Sequence, residues 1–203
     1  VLAVKQDAPA LAVLGFIGGY LAPVLLSTGT GNHVALFGYY AVLNAAVFAI
    51  AWHKPWRALN LVGFLFTFLI GGLWGAKYYT PEKFATVEPF LVLFFLFYVS
   101  IPVLYALAGR ARNGKVDGTL LFGTPLLAFP MQVGLVGDDR MGLAFSAVFV
   151  AAIYAGLALW AQRNARLRDL AQSAAGIGVV FATLAIPLAL TAQWTSAAWA
   201  LQG

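Results

Sequence analysis

Apolar residues fill the chain in seven long blocks, at 10–26, 33–51, 58–76, 87–108, 119–136, 141–160 and 171–192, each bounded by charge, Gly or Pro. Crossing the hydrocarbon core of a bilayer takes about 20 apolar residues in helical form. Strands of a membrane barrel would alternate apolar and polar at every second position, and these blocks do not. The pattern predicts an all-α polytopic transmembrane helix bundle of about seven spans. The links are short, so consecutive helices should be antiparallel neighbours. In the longest polar link on one side, Thr80-Pro81-Glu82 has the order of a helix N-cap followed by Pro at the first position. That predicts one short interfacial helix over about 81–85.

Composition agrees. Of 203 residues, 62% are hydrophobic and 9% charged, against about 25% charged in soluble domains, so the outer surface must meet lipid. The net charge of +5 does not point to nucleic acid, because the basic residues cluster between apolar runs. Lys5, Lys54, Arg57, Arg110, Arg112, Lys115, Arg163, Arg166 and Arg168 share one side, and Lys77, Lys83 and Arg140 the other. This nine-to-three split predicts a cytoplasmic N-terminus in a bacterial inner membrane. Trp52, Trp56 and Trp160 fall at the inner boundary, and Trp74, Tyr78, Tyr79 and Trp194 at the outer one. Membrane lipid is the expected partner, and basic loops of this kind attract anionic headgroups. Without cysteine, thiol chemistry and Cys-based metal sites are excluded. Residues 1–8, with Lys5 and Asp7, lead directly into the first block, so this stretch is not expected to be a cleavable signal peptide.

Pro23, Pro102 and Pro187 sit in similar apolar strings in the first, fourth and seventh blocks, 79 and 85 residues apart. A three-helix unit repeated once would be inverted, an arrangement used by transporters; chance similarity among membrane prolines is the plainer account. Gly15 and Gly19, Gly71 and Gly75, and Ala174 and Gly178 are spaced four apart, which lets helix backbones approach. These are expected packing faces, and they leave room for a homo-oligomer.

Polar residues gather toward the outer side: Asn32, His33, Lys77, Tyr78, Tyr79, Glu88, Asp138, Asp139 and Arg140. An ionisable group at membrane depth is a candidate for binding or proton relay, and Glu88 is the first choice, with His33 or Lys77 as partner. Against this, a carboxylate near a helix start is favoured by the helix dipole, and His33 could simply mark the lipid–water boundary. Deeper in the blocks stand Asn44, Thr67, Ser100 and Gln132. A lone membrane Asn is usually an interhelical hydrogen bonder, but Asn44 and Gln132 would line a polar cavity if one exists. No charge lies near the middle of a block, which argues against a proton pump or voltage sensor. The seventh block lacks a lysine for retinal. His33 and His53 stand at opposite ends of one block, so they cannot hold a transmembrane haem. The nucleophile elbow, the P-loop and the His-Glu-x-x-His zinc motif are absent. No catalytic residue, metal site or cofactor is therefore assigned.

The string Gly18-Gly19-Tyr20-Leu21-Ala22-Pro23-Val24-Leu25-Leu26-Ser27-Thr28-Gly29, then Gly31-Asn32-His33-Val34-Ala35-Leu36-Phe37, resembles bacterial predicted membrane proteins of domain of unknown function 2339. Trp56-Arg57-Ala58-Leu59-Asn60-Leu61, Gly72-Leu73-Trp74-Gly75-Ala76-Lys77-Tyr78-Tyr79, Glu88-Pro89-Phe90 and the tail from Trp194 to Leu201 extend the resemblance across nearly the whole chain, most specifically 15–90. Members of that family are larger polytopic proteins. The resemblance thus implies one transmembrane domain over 1–203 that is a piece of a longer parent, whose remaining helices would be partners. It implies no activity. Three readings stay open: a transport or lipid-handling module, a structural or assembly unit of the cell envelope, and a membrane enzyme on a lipid-linked substrate with Glu88, His33 or Asp138 as acid–base groups.

Overall fold

Every apolar block folds as a helix, because backbone polar groups in such segments have no water to turn to and must pair within the segment. In the computed structural model, which describes residues 6–26, 32–109 and 115–202 (side chains only to 192), the order is α1 Pro9–Leu25, α2 His33–His53, α3 Arg57–Tyr78, a 3-10 turn Pro81–Lys83, α4 Phe84–Leu107, α5 Lys115–Val136, α6 Arg140–Ala161, a 3-10 turn Ala165–Leu167 and α7 Arg168–Gln202. The described residues contain no strand. Lys5, Arg110, Arg112 and the side chains of Lys115 and Trp194 lie outside that description.

Six helices are long and apolar enough to cross a membrane, and α1, with 17 residues, is the shorter seventh. At 1.5 Å per residue α1 measures about 25 Å, a little under the roughly 30 Å hydrocarbon core. The expected isolated helix after Thr80 is instead a single 3-10 turn that passes directly into α4. Thr80 makes no side-chain capping bond there; its carbonyl instead accepts from Lys83 N at 2.9 Å and closes the turn.

Local chemistry sets the other ends. Asn32 Oδ1 accepts from Ala35 N (3.1 Å) at the start of α2, and Asp139 Oδ1 accepts from Met141 N and Gly142 N (3.1 and 3.0 Å) at the start of α6. Both satisfy amides that lack an intrahelical partner. Gly109 and Gly137 follow the ends of α4 and α5 with φ of +64° and +67°, the left-handed turn that favours glycine.

The chain divides into two compact units, Val1–Ala128 and Phe129–Gly203. In the first, α1 packs on α3 and α2, and α2 packs on α4 and α3. One end of this unit holds Ala12, Val47 and Leu59 under Val13, Phe16, Ile50 and Trp56. The other end is aromatic: Trp74 meets Phe37 edge-on at 5.0 Å, and Phe37 continues to Phe90 and Phe94. Trp74, expected at a lipid boundary, is thus buried beneath other rings.

The second unit holds a hairpin of α6 and α7 together with the end of α5 from Phe129 on. Leu143, Ala144, Ala147, Val150, Ala151, Tyr154, Ala158 and Ala161 form its buried stripe on α6, with a spacing of three and four that keeps one face toward the partner helix. A Cβ on Gly178 of α7 would stand 3.3 Å from Ala155 N and 3.5 Å from Ala151 O. The expected Ala174–Gly178 face is therefore a site of backbone approach. Gly15 and Gly75 differ: an added Cβ would meet nothing within 4 Å, because they point away from neighbouring helices of this chain. Gly19 faces Leu43 at 3.6 Å, and Gly71 is buried on α3.

Candidate functional site

Four helices of the first unit bring polar side chains together near their midpoints. Asn44 of α2 is the hub, 2% exposed. Its Oδ1 accepts from Tyr20 Oη of α1 at 2.8 Å and from Tyr98 Oη of α4. Its Nδ2 donates to Thr67 Oγ1 of α3 at 2.9 Å, and Thr67 Oγ1 lies 3.4 Å from Tyr98 Oη. A carbonyl oxygen has two lone pairs, and two phenols use both. Among the described residues, no buried side-chain nitrogen or oxygen lacks a partner. Chemically the arrangement is a closed interhelical clamp, which replaces water as partner for groups that could not otherwise lie in hydrocarbon.

Gly63 makes the clamp fit. It sits one turn before Thr67 on the same face of α3, and a Cβ there would come within 2.7 Å of Tyr98 Oη and 3.2 Å of Tyr20 Oη. Rings pack around it: Tyr20 stacks on Phe66 at 5.7 Å, and Phe64 meets Tyr98 edge-on at 5.4 Å.

A second polar group closes the Lys54 end of the unit. Arg57, the first residue of α3, donates from Nε and Nη2 to the two carboxylate oxygens of Asp117, each at 2.9 Å. This fork geometry suits a planar guanidinium. The Arg57 guanidinium also lies 5.3 Å from the centre of the Tyr105 ring, and Asn60 Nδ2 donates to Tyr105 Oη. Lys54 pairs with Asp7 at 2.9 Å nearby, but both are more exposed, where such pairs contribute little.

The family model described as a predicted membrane protein, domain of unknown function 2339, matches residues 1–203. The chain belongs to this family. No curated protein and no solved structure matches it.

Within this family member, the residues singled out from sequence fall into separate places. Asn44 is in the clamp. Gln132 of α5 lies in the other unit and donates to Ser146 Oγ of α6 at 3.2 Å. Asn32 caps α2. His33 Nε2 is hydrogen-bonded to Thr86 Oγ1 at 2.7 Å, and its ring leans on Trp74 at 5.4 Å. Lys77 Nζ stands 5.1 Å from the centre of the Tyr78 ring, and the Tyr78 carbonyl accepts from Lys83 Nζ. Lys83 also lies over Trp74, at 5.6 Å. Glu88 is half-buried and lies beyond the first turn of α4, so the helix-start account of this carboxylate is corrected. Its charge reaches Tyr79, whose phenol is pushed above its ordinary pKa by burial first, then by Glu82 and Glu88. Ser100 bonds back to the carbonyl of Leu96.

Sequence reasoning missed Tyr20, Tyr98, Gly63 and the Arg57–Asp117 pair. A signal existed for α3: Asn60, Gly63, Thr67 and Gly71 recur at intervals of three and four, a polar and small stripe that marks a packing face.

Proposed function

We propose that the chain is a structural or assembly unit of the cell envelope, held in a bacterial inner membrane with its N-terminus in the cytoplasm. The observation that carries this reading is the closure of the clamp: Asn44, Tyr20, Tyr98 and Thr67 satisfy one another, and Asn44 is turned away from solvent. A transport module would need Asn44 or Gln132 open to a polar path. Both are buried and bonded to neighbouring side chains. The lipid-handling reading draws its support from the Lys77 end, where His33, Tyr78 and Lys83 gather around Trp74 and Lys77 lies over the Tyr78 ring, with Glu88 as the proposed ionisable group.

The test separates fold from chemistry. Asn44→Leu and Thr67→Val combined with Tyr20→Phe and Tyr98→Phe replace every member of the clamp by an apolar group of similar volume, which a purely structural clamp tolerates far better than loss of one partner. If this combined variant folds and complements a deletion strain as well as wild type, the structural reading stands. If it folds but fails to complement, the polar groups act on a ligand and the reading falls. Glu88→Gln is the parallel test of the lipid-handling alternative: an unchanged phenotype removes Glu88 from consideration.

A further inference from the structure

We infer that Pro23 makes the end of α1 a hinge, and that the hydroxyls of Tyr39 and Tyr40 on α2 latch that hinge closed. Pro23 lies inside α1 and has no N–H, so the carbonyl of Gly19, four residues earlier, loses its intrahelical donor. In hydrocarbon a bare carbonyl is strongly disfavoured. Tyr39 Oη donates to that same Gly19 oxygen at 3.0 Å. The next carbonyl, of Tyr20, receives Tyr40 Oη at 2.9 Å. Two consecutive tyrosines thus serve two consecutive carbonyls at the point where proline interrupts the helix.

The glycine is part of the device. Gly19 presents no side chain to α2, so Leu43 packs against it and the phenol of Tyr39 reaches the backbone. Beyond the interruption, Val24, Leu25 and Leu26 are exposed, so side-chain packing does little to hold the last turn in place. The two hydroxyls carry that task. When Tyr39 releases, the Gly19 oxygen becomes an open acceptor at membrane depth and the exposed turn beyond Pro23, residues 24–26, is free to pivot while Tyr20 stays in the clamp.

The absence of cysteine from the chain makes the test direct. Spin labels at Leu25→Cys and Val42→Cys, both exposed positions, report the α1–α2 distance by pulsed electron resonance in nanodiscs. A latched state should dominate, with any open population under about 10%. Tyr39→Phe should turn this into a broad or two-peaked distribution. Pro23→Ala returns an N–H to the Gly19 carbonyl, so adding Tyr39→Phe to that variant should leave the distribution narrow. The inference is overturned if Tyr39→Phe leaves the distribution unchanged with Pro23 present, or broadens it equally in the Pro23→Ala protein.

Discussion

A Cβ at position 63 would stand 2.7 Å from a phenol oxygen, closer than side chains tolerate, and Tyr98 would have to leave Asn44. Gly63→Ala should therefore destabilise the fold although alanine is the better helix former. The expected loss is about 1–2 kcal/mol, the scale of one buried hydrogen bond with its partner left wanting. Tyr98→Phe removes the same bond and the same oxygen, so the two changes together should cost clearly less than their sum. Unfolding by denaturant in detergent micelles measures all three; strict additivity would show that Gly63 does not act through Tyr98. At this scale the sequence was legible in part. Asn44 and Thr67 were visible as polar groups in apolar blocks that needed partners. Tyr20 and Tyr98 were not, because tyrosine in a membrane sequence ordinarily marks a boundary, and only the fold shows their rings inside and their hydroxyls at mid-depth. Asp117 was passed over because the apolar block begins only at Thr119, whereas α5 starts at Lys115.

Helices were the most legible elements, since long apolar runs leave the backbone no other way to satisfy itself. Which faces meet was less legible, because Gly and Ala spaced by four look alike whether they face a neighbour or lipid. Two positions separate these cases. Gly178 faces backbone of α6 at 3.3 Å, and backbone cannot step aside as a flexible side chain can. Gly178→Leu should push α6 and α7 apart and cost about 1–3 kcal/mol, the range for overpacking. Gly15 faces open space, so Gly15→Leu should change stability by no more than about 0.5 kcal/mol. Thermal unfolding in one detergent compares them, and equal losses would contradict the assigned faces. If Gly15 instead lies against a second copy of the chain, Gly15→Leu should lower the oligomeric mass in size-exclusion light scattering while the unfolding curve stays in place.

For the molecule as a whole, the question is how α1 counts. It is the short helix, yet the chain just before it and a residue in its second half are tied to α2 at different levels. Asp7, just before it, pairs with Lys54 at the end of α2, and Tyr20, in its second half, bonds to Asn44 and Tyr40 well inside α2. A segment that begins level with one end of α2 and connects onward to the start of α2 is proposed to traverse the layer, which at about 25 Å would need modest local thinning of the bilayer. The proposed orientation then has direct consequences. The proposal puts the side rich in Lys and Arg in the cytoplasm because such loops resist translocation, a rule that counts basic residues rather than net charge, so the pairing of Lys54 with Asp7 and of Arg57 with Asp117 does not weaken it. Single cysteines at His53 and Tyr78, both exposed and at opposite ends of the first unit, should react differently with a membrane-impermeant maleimide: Tyr78→Cys in intact spheroplasts, His53→Cys only after permeabilisation. The opposite pattern reverses the orientation. Gln6→Cys should follow His53, because Asp7 next to it is tied to Lys54. If Gln6→Cys labels together with Tyr78→Cys while His53→Cys stays protected, α1 does not cross and the first unit has one span fewer.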